Sequence, residues 1–350
     1  MPKCGSQVLL CDLPIRLDSY TGCGHGCAYC FSRRNIDIMN IAGGESAITL
    51  ERFILGARSA ETTWCDWDIP LHWGGMSDPF QPSETDRRKS YEFLEIFAKH
   101  RYPVVFSTKG KVVAEPKYLD LIKQCNCAAQ VSMVCKSAEM FEHYAPSFDD
   151  RVNIARALAP NVRRLIIRIQ PYLPQYKREV LDLLSLYKEI GAYGVTIEGL
   201  KIFKRSGPLT VRIGADFCLP AEILKRDFVE IRRECHRLGL KFYSAENRLR
   251  YMGESLCCCG VEGIDGWAVN TANLNHIYFG NDAEFTEGMK LPCTGGCFNT
   301  FYQTKASRFS KNSYYENMMA FAKGKLGRNI YGISCEERNK NVQHIVAIAG

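Results

Sequence analysis

Up to about residue 245, apolar and polar positions follow two alternating rhythms. Short β-type runs recur at 69–73, 103–107, 129–134, 164–169 and 193–199, and between them lie longer segments of helical period at 84–100, 116–124, 149–158, 175–190 and 221–238. A short strand over 13–20 precedes these units, and a run at 240–244 reads as a further strand or a closing edge. Strands separated by helices of this length form parallel βαβ units. Six or seven such units predict an α/β fold, a partial or full β/α barrel rather than a doubly wound sheet. Past residue 246 the alternation fades into Gly-, Cys- and Asn-rich sequence and then a basic, aromatic tail with Phe298, Phe301, Tyr302, Phe309, Tyr314 and Tyr315. The expected division is therefore a barrel over 1–245 and an extension over 246–350 that wraps back and closes the active site.

In such barrels the loops after the strands build the site. Chemically suggestive residues recur at those places: His72-Trp-Gly-Gly-Met-Ser-Asp-Pro79, Ser107-Thr-Lys109, Ser132 and Arg168-Ile-Gln-Pro171. The loop after the first strand is the most unusual. Cys23, Cys27 and Cys30 stand among Gly22, Gly24 and Gly26, so three thiols can wrap one inorganic centre while the glycines let the backbone approach. A zinc knuckle or a disulfide cluster is the alternative. Structural zinc takes four ligands in separated pairs, and His25 would have to fold back on the same metal, so the spacing favours a [4Fe–4S] cluster with one iron free of protein. His25 is then a solvated or outer residue.

Seventeen cysteines in 350 residues, an odd number without regular pairing, suit a reducing compartment. Cys65, Cys125 and Cys127 read as small apolar core residues. No apolar run approaches the roughly 18 residues that a membrane helix needs, and Met1-Pro-Lys-Cys-Gly lacks the regions of a signal peptide, so a soluble cytoplasmic protein without a membrane partner is expected. The net charge is +7, and the last fifty residues hold eight Lys or Arg against three Glu. Such a tail suits a phosphate-bearing partner and equally a solvated basic surface.

The loop resembles the C-x3-C-x-φ-C motif of radical S-adenosylmethionine (SAM) enzymes, with Tyr29 as the aromatic position. Met76-Ser-Asp-Pro-Phe-Gln-Pro-Ser-Glu84, Ser107-Thr-Lys109 and Tyr144-Ala-Pro-Ser-Phe-Asp-Asp-Arg151 narrow the resemblance to the spore photoproduct lyase group over about residues 15–200. The resemblance implies that Cys23, Cys27 and Cys30 hold the cluster and that SAM, chelating the open iron, is cleaved to a 5′-deoxyadenosyl radical. It also implies an α/β fold of the partial (β/α)6-type TIM-barrel class, and roles for the neighbours. Lys109 would hold the SAM carboxylate and Ser132 a ribose hydroxyl. Ser77 and Asp78 would accept from the SAM ammonium, and Tyr29 and Phe31 would pack near the adenine. A flavodoxin or ferredoxin type protein would supply the electron.

Two features stay open in the sequence. Arg168 ends an apolar strand and needs an anion inside the barrel, either Glu198 on the next strand or substrate. Cys257-Cys-Cys259 with Cys293 and Cys297 form an auxiliary cluster, a hydrogen-atom donor or simply packed thiols, and Cys135 is a second candidate donor. The resemblance implies cleavage of a bond in a modified nucleoside or nucleotide, with a queuine-releasing lyase of queuosine salvage preferred. A thymine-dimer lyase acting on duplex DNA is less favoured, because the basic residues concentrate in one tail rather than a broad face. A non-catalytic Fe–S carrier or sensor is the remaining alternative.

Overall fold

The chain lays down its strands in the order in which they neighbour one another. The computed structural model describes residues 1–5 and 10–276, apart from positions 35, 60, 63, 64, 66, 214, 215, 272 and 274. The expectations for Cys293, Cys297 and the basic aromatic tail lie outside the described residues. Strand β1 (Lys3–Cys4) pairs antiparallel with β2 (Ile15–Leu17). From β2 the sheet continues parallel through β3 (Leu71–Trp73), β4 (Val104–Thr108), β5 (Cys127–Ser132), β6 (Leu165–Tyr172), β7 (Gly194–Gly199) and β8 (Lys241–Ser244). The crossovers carry α1 (Ala47–Ile54), α2 (Lys89–His100), α3 (Pro116–Ile122), α4 (Phe148–Leu158), α5 (Lys177–Glu189) and α6 (Ala221–Arg237). Sequential order in one twisted sheet, with the end strands unpaired to each other among the described residues, makes a partial barrel.

Period-two alternation sorts the strand residues between two cores. Val104 and Phe106 join the large core shared with the helices, whereas Val105 and Ala128 turn inward. Trp73 anchors the outer core, its ring within 5.4–6.3 Å of Phe80, Phe93, Phe97 and Phe106. Each such aromatic pair adds about 0.5–1.5 kcal/mol beyond burial. Phe80 therefore pins the loop after β3 to the core, and with it the neighbouring Asp78 and Gln81.

The segment 84–100, predicted as one helix, is two. A single turn, Glu84–Arg87, precedes α2, and Arg88 between them takes a left-handed φ of 51°. The buried Glu84 carboxylate stabilises the break, accepting from Ser90 N at 2.9 Å, Tyr91 N at 2.8 Å and Tyr118 Oη at 2.8 Å, and from Tyr20 Oη. Helix α1 and a three-stranded antiparallel sheet of Lys201–Ile202, Val211–Ile213 and Asp216–Cys218 were not predicted.

The described part of the extension closes the end of the barrel opposite the site loops. Cys257, Cys259, Val261, Ile264 and Trp267 pack against Cys11, Leu13, Val105 and Ala128. Arg164, just before β6, donates to the carbonyls of Gly260 and Glu262 at 2.9 and 2.8 Å, and Trp267 Nε1 donates to Asn126 Oδ1 at 2.9 Å. These are the N-terminal ends of the strands, so residues 257–267 form a floor.

Candidate metal and cofactor site

The thiol loop is an excursion between two short strands, Tyr20–Thr21 and Ala42–Gly43, which pair antiparallel just beyond β2. Gly22 opens it with a φ of 79°, and a Cβ there would lie 2.6 Å from the Asn40 carbonyl oxygen, so only glycine fits. Gln81 holds the turn from the other side. Its Oε1 accepts from Gly24 N at 2.7 Å and its Nε2 donates to Gly22 O at 3.1 Å. Arg33 closes the far end, donating to Gly26 O at 2.6 Å and Cys27 O at 2.9 Å.

Cys23 and Cys27 are buried and Cys30 is half-buried. Burial pushes the Cys23 thiol up to about 12, helped by Asp78 and Cys27, and it pushes Cys27 up as well, with Cys30 adding to the effect. The buried Cys23 and Cys27 thiols therefore keep their protons until a cation displaces them. Among the described residues no group of three or more His, Cys, Asp and Glu side chains is gathered as for a single ion, which is not the closed arrangement of structural zinc. A loop with three cysteines, and among the described residues no fourth ligand gathered with them, suits three corners of a cubane cluster.

His25 is not solvated. It is buried, its Nε2 lies 3.1 Å from Asp78 Oδ2, and its Nδ1 has no partner. Asp78 is the hub of the site. Its Oδ1 accepts from Phe80 N at 2.8 Å and Thr108 Oγ1 at 2.7 Å, and its Oδ2 from Lys109 N at 2.6 Å. Burial opposes ionisation of Asp78, but His25 and the donors from Lys109 and Thr108 outweigh it and hold the carboxyl below its ordinary value. Ser77 is also buried, with Oγ donating to Tyr20 O at 2.7 Å. The buried Asp18 accepts from Met76 N at 2.9 Å and Ser77 N at 3.0 Å, and burial pushes it up to about 6.

Lys109, Tyr29 and Ser132 are brought together by two residues given no role in the sequence reading, Glu142 and Arg151. Lys109 Nζ lies 3.7 Å from Glu142 Oε1 and 5.8 Å from the centre of the Tyr29 ring. Tyr29 Oη donates to the same Glu142 oxygen. Arg151, fully buried at the start of α4, sits 2.7 Å from Glu142 Oε2 and donates to Ser132 O at 3.0 Å. Burial raises the cost of the Glu142 charge, yet Lys109 and Arg151 hold its carboxyl below the ordinary value. Phe31 stands apart, 54% exposed on a short 3₁₀ turn.

Cys135, the candidate hydrogen donor, lies in the large core that the sheet shares with the helices, and burial, with Glu179 beside it, pushes its thiol up to about 12, so the S–H is retained. Arg168 does face the interior, but its expected ion pair with Glu198 is not made. Gln170 stands between them, accepting from Arg168 Nε at 2.6 Å and donating to Glu198, which pairs with Lys201 instead.

No protein-family model matches the chain. Uncharacterized proteins of Mycobacterium tuberculosis and Mycobacterium bovis are 25% identical to it over 206 residues, covering 54% of this chain. The chain spans 60% of the length of these curated relatives. Among solved structures, a spore photoproduct lyase double mutant with bound AdoMet and dinucleoside spore photoproduct matches 66% of this chain and 76% of its own at a TM-score of 0.52 and 17% identity. A single mutant with the dinucleoside matches 66% and 77% at 0.54 and 17%. The chain shares the α/β fold of these structures, with its mostly parallel sheet curved into a partial barrel. In this fold the thiol loop follows β2, Asp78 follows β3, Lys109 follows β4 and Ser132 ends β5, so four consecutive strands deliver the candidate site to one rim. No described helix is long and apolar enough to cross a membrane.

Proposed function

We propose that this chain is a radical SAM enzyme that cleaves a bond in a modified nucleoside or nucleotide. One observation carries the proposal: three thiols on one loop share a rim with a lysine, an aromatic ring and a serine, all delivered by successive parallel strands. Cys23, Cys27 and Cys30 would hold a [4Fe–4S] cluster, Lys109 would meet the carboxylate of SAM and Ser132 a ribose hydroxyl. Together the two cofactors would supply one-electron chemistry able to remove a hydrogen atom from the substrate.

The protein's own part is placement. Gln81 and Arg33 fix the loop backbone, and Asp78 fixes the amide of Lys109 and the ring of His25. Since both Asp78 oxygens already have protein donors, Asp78 would act on SAM through the backbone that it positions, whereas Ser77 Oγ, which donates to Tyr20 O, keeps lone pairs with which to accept from the SAM ammonium. Glu142 orients Tyr29 and offsets part of the Lys109 charge, leaving that ammonium free to turn to a stronger anion.

The nucleotide class is supported by the shared fold of spore photoproduct lyase with bound dinucleoside. Within that class a queuine-releasing lyase is the preferred assignment and a DNA-lesion lyase the second, favoured by the same dinucleoside. Anaerobic incubation with SAM and dithionite, once with a queuosine-type nucleotide and once with ultraviolet-dimerised DNA, tests both by mass spectrometry. Release of free base supports the first, and restored thymine the second. SAM left intact would refute the radical SAM proposal and leave an Fe–S carrier.

A further inference from the structure

Just above the floor, side chains from β2 to β6 form a hydrogen-bonded chain whose direction is fixed. Ser107 gives its one proton to Gln130 Oε1 at 2.9 Å, and Gln130 Nε2 passes on to Cys259 O at 3.4 Å. The contact of 3.1 Å between Ser107 Oγ and His72 Nε2 must then be donated by the imidazole. At the other ring nitrogen the partner is Arg16 Nη1, which can only donate, so Nδ1 must accept. His72 is therefore locked as the neutral Nε2–H tautomer. Burial first, then Arg16 and Arg168, hold it well below the ordinary histidine value. Arg168 Nη1 also donates to Ser107 Oγ, at 3.2 Å.

Two guanidiniums thus flank a neutral imidazole and hydroxyl, and among the described residues neither has a carboxylate in salt-bridge range. Asp18 is engaged with Met76 and Ser77, and Glu198 with Gln170 and Lys201. Arg16 spends donors on His72 and, weakly at 3.7 Å, on Cys11 Sγ; Arg168 spends them on Gln170 and Ser107. Most N–H groups of each fork remain unspent, and both side chains are half-exposed. Gly75 lets the Arg16 side chain pass close to the loop backbone, since a Cβ there would come within 3.3 Å of Arg16 Cδ. Two like charges in a barrel interior repel, and guanidinium forks match the geometry of carboxylate and phosphate.

We propose that Arg16 and Arg168 form an oxyanion subsite inside the barrel, which clamps a phosphate or carboxylate of the substrate while His72 and Ser107 hold the two forks in place. This rests on the function proposed above and deepens it, because it makes the substrate an anion rather than a neutral nucleoside. The SAM carboxylate already has a cation in Lys109.

Isothermal titration of the full chain with inorganic phosphate and, separately, with acetate tests the subsite without SAM or reductant. Saturable binding of at least one anion is expected. Arg16→Gln and Arg168→Gln should each weaken it about tenfold or more, Arg168→Lys should fall between because it keeps the charge and loses the fork, and Lys111→Gln, an exposed side chain paired with Asp150, should leave it unchanged. A preference for phosphate marks a nucleotide substrate, and a preference for acetate a carboxylated one. The subsite is overturned if neither anion binds saturably, or if the arginine variants bind as wild type does. A variant whose thermal midpoint falls is judged by Arg168→Lys against Lys111→Gln. Because nothing in the titration needs SAM, its failure leaves SAM cleavage standing, and failure of SAM cleavage leaves the anion site standing.

Discussion

Replacing Asp78 with asparagine keeps the shape of the hub and turns one of its two acceptor oxygens into a donor. Oδ1 serves Phe80 N and Thr108 Oγ1, and Oδ2 serves Lys109 N and His25 Nε2. Whichever pair the remaining oxygen keeps, the new NH2 faces a backbone N–H on the other side, Lys109 or Phe80. A threonine hydroxyl can rotate to accept, but a backbone amide has no acceptor to offer. Each orientation loses at least one charge-assisted bond, worth about 1.5–3 kcal/mol, and strands a buried N–H at about 1–3 kcal/mol more, so the cost is about 2.5–6 kcal/mol. That is a large share of the roughly 5–15 kcal/mol that holds a domain together.

Urea unfolding of the cluster-free protein near neutral pH reads this directly, and iron per chain after anaerobic reconstitution shows how much of the loss reaches the thiol loop. The folded Asp78 carboxyl lies below its ordinary value. Its stabilisation is therefore present above about pH 4, where the unfolded group is also ionised, and disappears as pH falls through the folded value. The gap between wild type and Asp78→Asn should narrow accordingly in acid. A loss under about 1 kcal/mol at neutral pH, or a gap that widens below about pH 4, would refute the hub.

Asp18 gives the opposite sign. Burial raises it from 3.8 to about 6, so the folded state takes up a proton first and stability declines as pH rises through that window. Asp18→Asn keeps an acceptor for Met76 and Ser77. It should match wild type below about pH 4 and exceed it by up to about 3 kcal/mol near pH 8; a variant less stable than wild type near pH 8 contradicts the burial argument. Cys27→Ala should abolish the ~400 nm cluster absorbance and SAM cleavage together, and retained iron with turnover would show that the loop is not the cluster site.

The sequence placed the parallel strands well because each is a short apolar run bounded by helical period, and inward polar residues such as His72 and Arg168 fall at strand positions where parity is unambiguous. Parity fails at Cys135, which lies beyond the end of β5 and turns toward the helices. Helix α1 escaped because it has only eight residues, of which Leu50 and Phe53 alone are buried while Ile48 faces solvent. Glu142 carried no local signal, since its meaning lies in Tyr29, 113 residues away. Arg16 was hidden in plain alternation, Ile15-Arg-Leu17, where one inward polar position reads like any other. Arg168 and Glu198 are near neighbours on adjacent strands, and pairing them was reasonable until Gln170 is seen between them.

The floor built by residues 257–267 makes the described barrel a cup rather than a tube. Arg164 and Trp267 fasten it to the strand starts and Tyr243 to β8, so among the described residues the floor shuts one end and leaves two ways in: past the rim that carries the thiol loop and Lys109, or through the seam between the first and last strands. A ligand held at that rim leaves only the seam. The vessel then has a side door, and which of two guests must arrive first depends on whether that door stands open.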